Sequence, residues 1–217
     1  AQEHIREEKL GGKIATRLGN GLAPLEPGET DTVIIAGMGG DLICKILKAK
    51  PEFLIEGKEF ILQPQSEWFK VRRLLKEYHY QIEKEWFLKE DGKYYVIIKA
   101  EPAWTQPQRL KHQQPSIHEY IKEISETPAN QAVSEKDMES IYEQYGKYLI
   151  ETKNPVLKEY LKKEITKKES IAAELKQSIK EMESEELSGK ERGNIAKRQR
   201  RYQEIQKEIR DMRKAIG

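Results

Sequence analysis

The chain has 217 residues, 35% of them charged and 37% hydrophobic, with a formal net charge of +2 and a mean hydropathy of −0.82. No apolar run is long enough to cross a bilayer as a helix, and the single cysteine, Cys44, excludes an internal disulfide and suits a reducing, cytoplasmic compartment. That much charge argues against one compact core, and it is unevenly spread: residues 1–150 are net −3 and residues 151–217 net +5, so the tail is the basic part.

Residues 1–10 read as the end of a helix stopped by Gly11-Gly12, and residues 13–18 alternate as a half-exposed strand that Gly19-Asn20-Gly21 turns. The β-branched run Thr32-Val33-Ile34-Ile35 then passes through Ala36-Gly37-Met38-Gly39-Gly40 into an amphipathic segment with Leu42, Ile43, Ile46 and Leu47 on one side. This is the pattern of a buried strand feeding a helix through a turn almost without side chains, the place where open α/β sheets bind their ligands. Alternatively, the glycines make only a tight strand-to-helix turn. Residues 59–63 form the next buried strand, ended by Pro64, and Ser66 is placed to cap a helix whose apolar face is Phe69, Leu74 and Leu75. Residues 80–89 and 93–100 are aromatic-rich alternating runs joined by Asp91-Gly92, which predicts a type I′ hairpin. The series predicts an α/β sheet with one reversed strand at its edge.

The glycine turn follows too few strands for a complete doubly wound sheet, in which an earlier turn holds the nucleotide end of a cofactor. This predicts an N-terminally truncated chain lacking two βα units, roughly 60 or more residues.

From residue 101 to 133 the periodicity dissolves. Pro102, Pro107, Pro115 and Pro128 mark a linker or insertion in which residues 117–124 fit one short helix. Ser134 with Asp137 resembles a capping box ahead of Met138, Ile141, Tyr142, Tyr145 and Leu149, and Asn154-Pro155 starts another helix as cap and first residue. Regular heptads follow: Leu161, Ile165, Lys168, Ala172, Leu175, Ile179 and Met182, then, past Ser188-Gly189, Ile195, Arg198, Tyr202, Ile205, Ile209, Met212 and Ile216. They predict an antiparallel helical hairpin, and equally allow self-association between chains. The expected organisation is 1–101, 102–133 and 134–217.

Gly19-Asn20-Gly21-Leu22, Ala36-Gly37-Met38-Gly39-Gly40, Leu62-Gln63-Pro64, Arg73-Leu74-Leu75 and Glu90-Asp91-Gly92-Lys93-Tyr94-Tyr95 fall in the order and spacing of the bacterial tRNA (adenine-22-N1)-methyltransferase family, which the chain resembles. The resemblance implies a Rossmann-like S-adenosylmethionine methyltransferase domain, here partial, followed by an α-helical antiparallel coiled-coil hairpin. It also implies methyl transfer to N1 of an adenine in tRNA. The family's N-terminal strand and its acidic, glycine-containing cofactor motif are absent, Asn20 stands where the family usually has Asp, and residues 101–133 are longer than the usual connection.

On this resemblance Gly19, Asn20, Gly21, Ala36, Gly37, Met38, Gly39 and Gly40 are the expected cofactor contacts, and Gln63-Pro64 lies beside the base. Lys197, Arg198, Arg200 and Arg201, and Lys162-Lys163 with Lys167-Lys168, are the candidate contacts to tRNA phosphates, against the bland reading of a solvated helix face. Any acid or base is expected upstream. Cys44 reads as a packed small hydrophobe, Met38 equally as core filling, and His4, His79, His112 and His118 lack metal-ligand spacing. Two rival functions stay open: a methyltransferase acting on another substrate, and a non-catalytic RNA-binding or scaffolding module built on the hairpin.

Overall fold

The computed structural model describes residues 1–103, 129–183 and 189–217, with side chains of 129–136 and 184–191 left aside. The helix expected over 117–124 lies outside the described residues. A short helix α1 (Gln2–Glu7) precedes β1 (Thr32–Met38), α2 (Gly40–Ala49), α3 (Glu52–Ile55), β2 (Glu59–Pro64), α4 (Trp68–Glu77), β3 (Tyr80–Glu90) and β4 (Lys93–Pro102). Helices α5 (Ala129–Tyr145), α6 (Lys147–Glu151), α7 (Pro155–Glu183) and α8 (Gly189–Ile216) complete the chain.

The sheet order is β1-β2-β4-β3, with β1 and β2 parallel and β4 antiparallel to both β2 and β3. The reversed strand is therefore β4, inside the sheet, and not the edge strand expected from the sequence. Because β3 and β4 are joined by a two-residue turn, inserting β4 beside β2 pushes β3 to the rim, parallel to β1. Asp91 and Gly92 both take positive φ, 47° and 77°, which is the type I′ geometry.

Residues 13–18 are not a strand: every residue from 11 to 21 is exposed, and no described strand pairs with them. Alternation alone does not make a strand: these residues pair with neither edge of the sheet, β1 or β3. The covered face of the sheet carries Val33, Ile35, Phe60, Leu62, Val96, Ile98 and Ala100, against which Ile43 and Leu47 of α2 and Val71, Leu74 and Leu75 of α4 pack. Each such side chain contributes roughly 1.5–3 kcal/mol by leaving water. Leu42 points away from this face and is 48% exposed, and Ile34, on the opposite face of β1, is 67% exposed.

Glu67, not Ser66, is the residue before α4; it sits in the left-handed region at φ 52°, and no side chain caps the helix. Ser134 lies inside α5, which starts at Ala129. Asn154 caps α7 as expected, its Oδ1 accepting from the Val156 and Leu157 N–H groups at 3.0 Å each.

Helices α7 and α8 pair antiparallel. Ala172, Ile205 and Ile209 are buried along the seam, with Ile165, Leu175 and Tyr202 against them. At the base of the hairpin, Leu157, Leu161, Met212 and Ala215 join the same core as the sheet, with Ile141, Tyr145 and Leu149 of α5 and α6 between. Lys168 leaves the seam to pair with Glu208, and Arg198 to bond Ser178.

Candidate functional site

The register of β1 against β2 breaks between Ala36 and Met38, so Gly37 is a bulge at the carboxyl end of the parallel pair. Its φ of +79° suits glycine, and a Cβ built there would meet nothing within 4 Å. The bulged N–H of Gly37 donates to Gln63 Oε1 at 2.8 Å. Past the bulge, Met38 pairs with Pro64, and the Gln65 N–H donates to the Met38 carbonyl at 2.8 Å.

Gly40 opens α2 under constraint. Its N–H donates to the Ser66 carbonyl at 2.9 Å, and a Cβ there would lie 2.6 Å from the Glu67 oxygen and 2.7 Å from the Ser66 oxygen. Gly39 faces the Ser66 hydroxyl, 3.2 Å from its would-be Cβ. Segments 36–40 and 63–67 thus form one rim of backbone-lined space, open at Gly37 and tightly closed at Gly40. Ala36, Gly37 and Met38 are exposed on it.

The turn at Gly19, Asn20 and Gly21 stands apart from that rim. A Cβ on Gly21 would lie 2.9 Å from Ile46 Cγ2, so this turn rests along α2, and Gly19 abuts Pro24. The Asn20 carbonyl accepts from Ala23 N–H at 3.1 Å and its side chain is exposed. Lys197, Arg198, Arg200 and Arg201 are all exposed on α8. Arg201 pairs with Glu204 at 3.1 Å and Glu208 at 3.4 Å, and Arg198 is engaged by Ser178; Lys197 and Arg200 have no partner among the described residues. The basic run is therefore split: Lys197 and Arg200 are without a partner among the described residues, Arg198 reaches across to α7, and Arg201 is paired within α8 itself.

Between α2 and α4 a groove of about 270 Å³ is lined by Asp41, Cys44, Lys45, Lys70, Arg73 and Glu77, among others. Its charges are matched: Asp41 meets Lys45 at 2.8 Å and Lys70 at 3.0 Å, which hold its carboxyl down to about 2. Burial pushes the Cys44 thiol up, away from a reactive thiolate. No cluster of three or more His, Cys, Asp or Glu able to hold a metal occurs among the described residues, and none of their helices is long and apolar enough to cross a membrane.

Two features lie outside the sequence reading. Trp68, Phe87, Tyr94 and Tyr160 form an aromatic cluster with ring centroids 5.0–5.8 Å apart. Beside it Glu159 accepts from Lys89 Nζ at 2.7 Å and the Tyr94 hydroxyl at 3.1 Å, and pairs with Lys163 at 2.9 Å. This knot ties the β3–β4 turn to α7. The second is a buried ion pair between Arg72 on α4 and Glu85 on β3. A bulge between Ile82 and Lys84 shifts the strand's phase and turns Glu85 inward, which simple alternation from Tyr80 does not reveal.

A mixed sheet with a glycine bulge at the carboxyl end of its parallel pair, joined to a helical hairpin, defines a Rossmann-like α/β protein with a coiled-coil extension. The model of the tRNA (adenine(22)-N(1))-methyltransferase family, TrmK, matches residues 1–128. The chain belongs to this family. It is 38% identical over 101 residues to the tRNA (adenine(22)-N(1))-methyltransferase of Bacillus subtilis, a match covering 46% of this chain and 42% of that protein. The matched stretch is thus less than half of the curated relative. Among solved structures, the B. subtilis M1A22 tRNA methyltransferase TrmK is similar over all of this chain and 76% of its own, with a TM-score of 0.66 at 23% identity. A Streptococcus pneumoniae protein described as a putative tRNA (m1A22) methyltransferase, solved in complex with S-adenosyl-L-methionine, has a TM-score of 0.60 at 22% identity over 100% of this chain and 74% of its own.

Proposed function

We propose that this chain is the methyl-transfer and tRNA-holding part of an S-adenosylmethionine-dependent enzyme that methylates N1 of adenine 22 in tRNA. The observation that carries the reading is the open bulge at Gly37 beside Gln63, in a chain whose family is tRNA (adenine(22)-N(1))-methyltransferase. The residues fit such a cofactor: Ala36, Gly37 and Met38 are exposed, and a Cβ added at Gly37 would meet nothing within 4 Å.

When bound, the cofactor supplies an electrophilic sulfonium methyl group. The chain's own part is positional. Gly37, Met38 and Gly39 form the wall between donor and base, with Ala36 and Gly40 fixing the turn's two ends. Gly19, Asn20 and Gly21 serve the adenine end of the cofactor, where the Asn20 side-chain carbonyl accepts from an amino group without the charge assistance of an Asp. Gln63 and Pro64 border the acceptor base, which must leave its stack to present N1. The methylated ring is cationic, so carbonyl oxygens near it favour the transition state. No residue of this chain is assigned as acid or base.

On the hairpin, Lys197 and Arg200 are the free contacts to phosphate, and Arg198 and Arg201 join them at the cost of their internal partners. Self-association would have to use the outer faces of the hairpin, because its seam is filled within one chain. A tRNA-modifying enzyme with a lone thiol belongs in the cytoplasm.

The test is methylation of unmodified tRNA by the full-length protein, mapped by primer-extension arrest. Arrest at adenine 22, dependent on S-adenosylmethionine, is expected. Tight tRNA binding without arrest would make the protein an RNA-binding module, and arrest elsewhere would reassign the acceptor.

A further inference from the structure

Gln63 holds a donor that its bond to Gly37 does not use. A backbone N–H can only donate, so the atom that Gly37 N–H meets at 2.8 Å must be the amide oxygen, and the side chain's orientation is thereby settled. The amide nitrogen Nε2 then faces elsewhere. It is sealed from solvent and has no acceptor among the described residues. A buried donor left unpaired is disfavoured, and native proteins seldom retain one without a reason. Here the donor belongs to the amide that bonds Gly37, one residue before Pro64 at the carboxyl end of β2, and a Cβ added at Gly37 would meet nothing within 4 Å.

Adenine offers three ring acceptors, N1, N3 and N7, while its 6-amino group can be only a poor one. A donor aimed at N1 would occupy the lone pair that has to attack. We infer that Gln63 Nε2 donates to N3 or N7 of the acceptor adenine, making Gln63 a base-positioning residue that recognises the purine while leaving N1 free. Gly37 contributes indirectly, because its N–H holds the amide in the donating orientation. This inference rests on the proposed adenine-N1 methyltransferase reading.

The experiment uses the full-length protein and tRNA carrying 7-deazaadenine or 3-deazaadenine at the target position. Wild-type protein is expected to lose about tenfold in kcat/KM on one of the two analogues, the change of a single hydrogen bond. Gln63→Glu keeps an oxygen for Gly37 N–H but removes the donor. It is expected to lose about tenfold on ordinary tRNA, mainly in kcat, and to lose nothing more on the sensitive analogue, with cofactor affinity by equilibrium dialysis unchanged. Full activity of the wild-type protein on both analogues overturns the inference without any variant. So does a loss in Gln63→Glu confined to cofactor affinity, which would give the donor to the cofactor. If wild-type protein methylates no tRNA at all, it is the functional reading that fails.

Discussion

Arg72 donates from Nε to Glu85 Oε1 at 2.8 Å, and the two side chains are 3% and 0% exposed. The same guanidinium donates from Nη1 to the Glu143 and Gln144 carbonyls at 3.0 Å each. One arginine thus ties α4 to β3 and to the end of α5, with burial raising the Glu85 carboxyl and the Arg72 charge opposing that rise. Glu85→Leu strands a buried cation, and a loss of about 3–5 kcal/mol is expected in urea melts. Adding Arg72→Met should recover part of it. A cost below about 1 kcal/mol for Glu85→Leu would show that the pair does not hold the elements together.

Glu159 gives the fold a dependence on acid. Lys89, then Lys163 and Tyr94, hold its carboxyl down from the usual 4.5 to about 2. A group lowered in the folded state contributes stability that is complete above about 4.5 and is lost as pH falls through about 2. Glu159→Gln should therefore flatten the acid limb of a melting-temperature profile in that window. An acid limb of unchanged steepness would rule the contribution out.

The two critical glycines should respond differently to alanine. At Gly37 the new methyl meets no atom and only the φ of +79° is strained, for about 1–2 kcal/mol. At Gly40 it meets backbone oxygens of Ser66 and Glu67 at 2.7 and 2.6 Å, which cannot swing aside. Gly40→Ala is expected to cost more, about 1–3 kcal/mol with displacement of the rim, and to abolish methyl transfer. Equal melting temperatures for the two variants would contradict this order.

On α8, Lys197→Glu and Arg200→Glu are each expected to weaken tRNA binding uniformly across sequences and to reduce the salt slope by about 1. Arg201→Gln should move the slope less, because Glu204 and Glu208 already neutralise that side chain. Filter binding over a salt series reads both. Identical slopes for wild type and Arg200→Glu would remove α8 from the interface.

Asn154 offers a control remote from the rim. Its Oδ1 satisfies two N–H groups at the start of α7, so Asn154→Ala should cost about 1 kcal/mol in a denaturant melt. A neutral substitution would mean that packing of Leu157 alone holds the helix start.

Local signals were legible where one residue type has one physical solution. Asp91-Gly92 dictates its turn, Asn154-Pro155 its helix start, and the β-branched run into glycines its strand and the turn into α2. What the sequence concealed depends on neighbours distant along the chain. Residues 13–18 alternate as a strand does but pair with no described strand, and Ser66 yields the start of α4 to Glu67 because its carbonyl is held by Gly40. The bulge between Ile82 and Lys84 reverses which side chains face inward, burying Glu85 and leaving Trp86 partly exposed with Lys84 4.9 Å from its ring. At the candidate site, the nearness of Gly37, Gly39 and Gly40 to Gln63-Pro64 was legible, while the separation of the Gly19–Gly21 turn and the single hydrogen bond that orients Gln63 were not, since the latter depends on the register of two strands.

The hairpin joins the sheet's core only at its base, through Leu157, Leu161, Met212 and Ala215, and beyond Ile165 α7 runs on to Glu183 without touching the sheet's core. Those 18 residues reach roughly 27 Å. At the base of this length the contact among Tyr94, Glu159 and Lys163 ties α7 to the β3–β4 turn. A tilt of about 5° there displaces the tip by roughly 2 Å, comparable to the difference between a made and a broken hydrogen bond. Under the proposed function, substitutions around that contact would change tRNA binding by the tip without altering any of the basic residues of α8, which binding by a Glu159→Gln variant would read.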